Sequence, residues 1–138
     1  MLELIALCTV DVTLAEPIVV GAGPAGLRLV YEVTEATMSG DRINGKAKGN
    51  AGADWVVVSG AVGTLDVRAT FETDDGAVVF VHYSGRVDAS GGPGTAPIYV
   101  APLFETGDER YAWLNLVQAV GKGTLDGTRL HYEWYEVR

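Results

Sequence analysis

One cysteine, three lysines and no long apolar run are the first things this 138-residue sequence shows by omission. A lone Cys8 leaves no internal disulfide framework and no multi-cysteine zinc site. No apolar stretch nears the roughly 18 residues of a membrane helix, so a membrane partner is not expected. The start, Met1-Leu2-Glu3-Leu4, puts an acid where a secretory signal wants basic residues, and a cytoplasmic protein is expected. Ten Lys+Arg stand against eighteen Asp+Glu, a net charge of −8, and seven of the cations are arginines scattered singly. Proteins that track phosphates carry a basic stripe, so nucleic acid and anionic surfaces are poor partners. His82 and His131 form neither H-x-H nor H-x-x-x-H, and no metal is expected. No G-x-S-x-G elbow supports a serine nucleophile.

What is present leans toward β structure. There are nineteen valines, eleven threonines, six tyrosines and eighteen glycines, residues that suit pleated surfaces and the tight turns between them. In Leu2–Leu14 the even positions are all apolar, while the odd ones include Glu3, Thr9, Asp11 and Thr13, a two-residue period. Further strands are predicted over Ile18–Val20, Leu27–Glu35, Ile43–Lys48, Trp55–Ser59, Leu65–Glu72, Ala77–Tyr83, Ile98–Phe104, Trp113–Val120 and Thr128–Val137. Asn44-Gly45, Asp75-Gly76 and Asp126-Gly127 accept positive φ at low cost, and Thr73-Asp74-Asp75-Gly76 is the strongest hairpin signal. Thr106-x-x-Glu109 resembles a capping box, which predicts one helical turn before Trp113. About ten short strands in a single domain, 1–138, have edges to hide. Pairing of the first and last strands would hide them by closing a barrel.

Pro17-Ile18-Val19-Val20-Gly21-Ala22-Gly23-Pro24-Ala25-Gly26 contains a full G-x-G-x-x-G after a β-branched run. As a dinucleotide fingerprint it would need a helix N-terminus directly behind it to face a pyrophosphate. Leu27, Leu29, Tyr31 and Val33 instead alternate with polar Arg28, Glu32 and Thr34, so the motif is read as a glycine-rich strand connection, with no flavin or nicotinamide.

Two constellations could carry chemistry. Asp66, Arg68 and Thr70 share one face of a strand whose other face is Leu65, Val67, Ala69 and Phe71. In a sandwich the polar face is simply wet. In a ligand-holding barrel it could point inward, Arg68 holding Asp66 ionised and offering donors to an oxyanion. Asp54-Trp55 is either a turn acid beside a core indole, or a rim carboxylate acting as general base with Trp55 stacked on a planar ligand. Tyr111, Trp113 and Asn115 share strand parity, as do Tyr132, Trp134 and Glu136; such aromatic stripes are more often core than pocket.

In order along the chain, Gly21-Ala22-Gly23-Pro24, Gly52-Ala53-Asp54-Trp55, Leu65-Asp66-Val67-Arg68-Ala69-Thr70, Thr73-Asp74-Asp75-Gly76, Tyr83-Ser84-Gly85-Arg86, Phe104-Glu105-Thr106-Gly107, Arg110-Tyr111-Ala112-Trp113-Leu114-Asn115 and Tyr135-Glu136-Val137-Arg138 resemble the small bacterial and fungal proteins grouped as domain of unknown function 3237. Between Arg86 and Tyr99 the chain is shorter than typical members. The resemblance implies an all-β, antiparallel, lipocalin-like or allene-oxide-cyclase-like barrel, often a homodimer, and makes Gly21–Gly26 a family turn. On that footing the expected function is a cofactor-independent enzyme working on a small apolar or aromatic metabolite inside the barrel, by acid–base isomerisation, cyclisation, hydration or elimination. Asp54 or Asp66 would be the base and Arg68 the oxyanion partner. Trp55, Tyr83, Arg86, Trp113 and Asn115 would contact the substrate. The alternatives are a barrel that binds such a molecule without turnover, and an interaction domain with a filled interior.

Overall fold

The computed structural model describes residues Met1–Arg138. Eleven strands form it: β1 (Leu4–Leu14), β2 (Ile18–Gly23), β3 (Gly26–Ser39), β4 (Gly45–Ala47), β5 (Ala53–Ser59), β6 (Val62–Thr73), β7 (Val78–Asp88), β8 (Ile98–Val100), β9 (Leu103–Glu105), β10 (Ala119–Asp126) and β11 (Arg129–Val137). Eight of them close an antiparallel ring in the order β1-β3-β5-β6-β7-β8-β10-β11, and β11 pairs back onto β1. The strands are longer than the short ones expected: β3 runs 14 residues and β6 runs 12. β2 rides beside the first half of β3 with its outer edge unpaired, β4 spans β3 and β6, and β9 extends β7.

Closure comes from the register Leu4↔Val137 through Thr13↔Arg129, the pairing of first and last strands that the alternation pointed to. The period-2 pattern of β1 breaks once. Leu7 is an extra residue between the pairs Ala6↔Tyr135 and Cys8↔Trp134, so Leu7 and Cys8 are both buried while Leu4 is exposed. A bulge of this kind bends a strand around a barrel. Burial pushes the Cys8 thiol up to about 12, which leaves it unreactive at neutral pH.

Gly23-Pro24-Ala25-Gly26 joins β2 directly to β3. Gly26 has φ +129°, and a Cβ there would meet the Val58 carbonyl oxygen at 2.5 Å, so this glycine serves a strand connection. The Thr73–Ala77 hairpin also forms as read. Buried Thr73 donates to Asp75 Oδ1 at 2.6 Å and accepts from the Ala77 N–H at 2.8 Å.

Two strand assignments fail. Ile98–Phe104 is interrupted at Ala101-Pro102, where proline has no N–H to give a ladder. Trp113–Val120 is instead a 3-10 segment, Glu109–Leu116, followed by β10. Its cap is Asp108, which accepts from the Arg110 N–H at 2.9 Å, rather than Thr106. Leu114 and Val117, three apart, bury themselves together, a spacing that suits three residues per turn as well as a strand.

The inside of the barrel is filled at one end and open at the other. Tyr83, Tyr132, Trp134 and Phe104 stack edge-on and tilted, with ring centres 5.5 to 6.0 Å apart. Room for the two largest rings comes from β10. Gly121 lies opposite Trp134 and Gly123 opposite Tyr132, and a Cβ at either would fall 2.4 Å from a ring carbon.

Candidate functional site at the barrel mouth

β6 turns its apolar residues inward. Leu65, Val67, Ala69 and Phe71 are buried, so Asp66 and Arg68 face outward and the expected inward ion pair does not exist. Asp66 bonds His82 instead, Oδ1 to Nε2 at 3.2 Å, with both side chains 46% exposed. The physical reason is the cost of desolvating two charges that the outer face leaves in water. Asp66→Asn and Arg68→Met are accordingly expected to change stability by under about 1 kcal/mol each in urea denaturation; a loss several times larger would put the pair back in the interior.

The other expected contacts scatter as well. Trp55 lies on the outer wall, where its carbonyl accepts from Arg28 at 3.1 Å. Arg86 donates to Thr64 Oγ1 on that same face. Trp113 packs under the Arg42 guanidinium, 4.7 Å from the ring centre. Asn115 bonds the Thr106 backbone through both ends of its amide, at 2.8 and 2.9 Å. These are structural roles. Of the expected catalytic and substrate-contacting residues, only Asp54 and Tyr83 point into the barrel.

Asp54 sits on β5 opposite Val67 of β6 and Tyr31 of β3, both inward positions. It forms part of the floor of a pocket of about 280 Å³ at the open end, close to the lower bound for small-molecule sites. Leu27, Leu29, Val56, Val58 and Leu65 line the pocket wall, and the Ala89–Ala96 loop overhangs the rim. Tyr31 and rim Asp88 are the other polar-tipped residues, and no lysine or arginine lines the space. A hollow of equal volume lies between β3 and β4, but Thr34, Glu35, Thr37, Lys46 and Lys48 line it on the wetted outside. Asp88 is held below the usual carboxylate range by hydrogen bonds from Ser90.

Asp54 differs from every other carboxylate in the chain. Burial pushes it up to about 7, helped by the nearby Asp66 charge and opposed by the Asp66 N–H, which donates to Oδ1 at 3.1 Å. Tyr31 is raised by burial and by the charges of Asp54 and Glu16, so it keeps its proton. A carboxyl poised near neutrality beside a phenol, in an apolar pocket, can take a proton from carbon or oxygen while the phenol donates to the developing oxyanion. No three His, Cys, Asp or Glu side chains gather where they could hold a metal ion. Tyr31 is the residue the sequence reading missed. It stood in the apolar row Leu27-Leu29-Tyr31-Val33, and only the β3–β5 register brings it to Asp54.

Fold and pocket together define a closed antiparallel β-barrel of eight core strands with extra strands, enclosing a potential small-molecule site at one mouth. The chain belongs to the family described as Protein of unknown function (DUF3237), whose model matches residues 2–137. It is 26% identical over 125 residues to a UPF0311 protein of Rhodopseudomonas palustris, 81% of each chain. Among solved structures, a beta-barrel like protein from Acinetobacter baumannii superposes with a TM-score of 0.89 at 29% identity, covering 100% of this chain and 97% of that one. An enzyme from Penicillium herquei superposes with a TM-score of 0.72 at 26% identity, covering 99% and 93%.

Proposed function

We propose that the barrel is a cofactor-independent acid–base enzyme for a small, neutral, largely apolar molecule bound at the mouth, with Asp54 as proton acceptor and donor and Tyr31 as oxyanion partner. The observation that carries this reading is the single carboxyl on the floor of an apolar pocket, shifted by burial to about 7. A group titrating near the working pH is the most effective proton carrier. General acid–base catalysis serves isomerisation, cyclisation, hydration and elimination, none of which requires a protein nucleophile or a redox group. The likeness to a Penicillium herquei protein described as an enzyme supports turnover on this scaffold. Walls without a cation, in a chain of net charge −8, disfavour carboxylate or phosphate ligands.

The test uses 2-tetralone, a neutral bicyclic ketone with acidic α-protons, and 2-naphthoate, its anionic counterpart in size. The protein is expected to bind the ketone measurably better, and to speed exchange of its α-protons in heavy water. Asp54→Asn should cut that exchange by at least about 10²-fold while leaving binding in place. Binding without accelerated exchange would make the barrel a binding protein, the second reading. Failure to bind either molecule, or a preference for naphthoate, would remove the pocket assignment altogether.

A further inference from the structure

Beneath the mouth pocket lies a second chamber of about 30 Å³, deeper in the barrel. Asp54 is the one polar residue that lines both spaces, beside Leu14 and Leu130. The chamber's remaining walls include Tyr83, Ala36 and Ala69. We propose that this chamber is a water site, in which one water bridges Asp54 to the Tyr83 hydroxyl and fixes the carboxyl for its work in the pocket above.

Three observations lead there. The chamber has room for a water and little more, since one needs on the order of 10–15 Å³. Its lining is not wholly apolar, and polar cavities of this size fill while apolar ones stay dry. The hydrogen-bond inventory around it is also incomplete. The wholly buried Tyr132 hydroxyl lies off the chamber and has only the neighbouring Tyr83 phenol to bond, so the Tyr83 hydroxyl has a further bond to make at the chamber wall. Asp54 receives a single hydrogen bond, from the Asp66 N–H to Oδ1, so Oδ2 is free to accept. Buried polar groups almost always find a partner. A water that donates to Asp54 and exchanges a bond with the Tyr83 hydroxyl completes both. Tyr83 is then a positioning residue, which acts on a substrate only through the carboxyl.

This inference rests on Asp54 as the working group of the pocket, but its test uses no ligand and so succeeds or fails separately from the binding and exchange measurements. A high-resolution crystal structure of the unaltered protein is expected to show one water peak within hydrogen-bonding distance of both Asp54 and the Tyr83 hydroxyl. Ala36→Val places a side chain in the chamber without touching a polar group. It is expected to expel the water and raise the Asp54 titration, followed by carboxyl carbon-13 resonances, by about one unit, the worth of one hydrogen bond to a charged group. The titratable groups facing that carboxyl are Tyr31 from β3, Asp66 from β6, Tyr83 from β7 and Tyr132 from β11; Ala36→Val changes none of them. Tyr83→Phe should move the titration in the same direction. A chamber without a peak, or an Ala36→Val protein that melts higher with its Asp54 titration unmoved, would mean a dry void and overturn the proposal.

Discussion

Above pH 7, Asp54→Asn is expected to be the more stable protein, by up to about 4 kcal/mol. The carboxyl is raised from 3.8 to about 7 on folding, so between those values the folded chain holds a proton that the unfolded chain has released. Stability therefore falls as pH rises from about 4 to about 7 and levels off beyond. Asparagine keeps the oxygen that accepts from the Asp66 N–H and carries no charge to desolvate, so its stability should lack that fall. Asp75, Asp108 and Glu136 are lowered by their hydrogen bonds with Thr73 and Tyr111, with Arg110, and with Arg42 and Arg138. They lose stability as pH falls through the acid range, in both proteins alike. Urea midpoints of the two proteins from pH 4 to pH 8 isolate Asp54 as the difference between the curves, and parallel curves would show that its carboxyl is not buried. A residue that costs stability where it works is a common mark of a functional group, since activity and stability often pull apart.

The second large effect belongs to the aromatic cluster that fills the closed end of the barrel. Trp134 is 1% exposed and touches Tyr83, Tyr132 and Phe104. Trp134→Ala should cost about 3–5 kcal/mol, the range for emptying a large buried ring. Gly121→Ala, which places a methyl 2.4 Å from the Trp134 ring, should cost about 1–3 kcal/mol by overpacking. The double variant is the informative one. With the indole gone, the new methyl at 121 occupies space instead of clashing, so its cost should vanish or reverse. Additive losses in denaturant titrations would show that ring and glycine are not fitted to each other.

Much of this architecture was legible because its causes are local. Alternation marked β1, β3, β6 and β11, and the turn chemistry of Asp75-Gly76 and Asp126-Gly127 placed hairpins where they form. The failures share a cause. Parity tells which residues share a face but not which face is inside, and at β6 the polar row was assigned inward when Leu65, Val67, Ala69 and Phe71 were the ones to fill the barrel. Asp54 was legible as an acid at a strand start. Its partner Tyr31 was not, because their proximity is a property of the β3–β5 register. Trp113 and Asn115 were drawn toward a site by strand parity, which the 3-10 segment cancels.

Ring closure has a kinetic consequence. β11 follows β10 by a two-residue turn, but its other edge must find β1 across almost the whole chain. Loop closure over such a separation is entropically costly, and folds dominated by distant pairings are slow to form. Leu130 of the pocket wall rides on that closing strand and Leu14 on β1, while Asp54 and Tyr31 belong to the earlier β3–β5 pair. The pocket wall is thus completed around its carboxyl only at the final pairing. A stopped-flow experiment should see ligand competence arise with the slowest refolding phase, and no earlier species should hold a site.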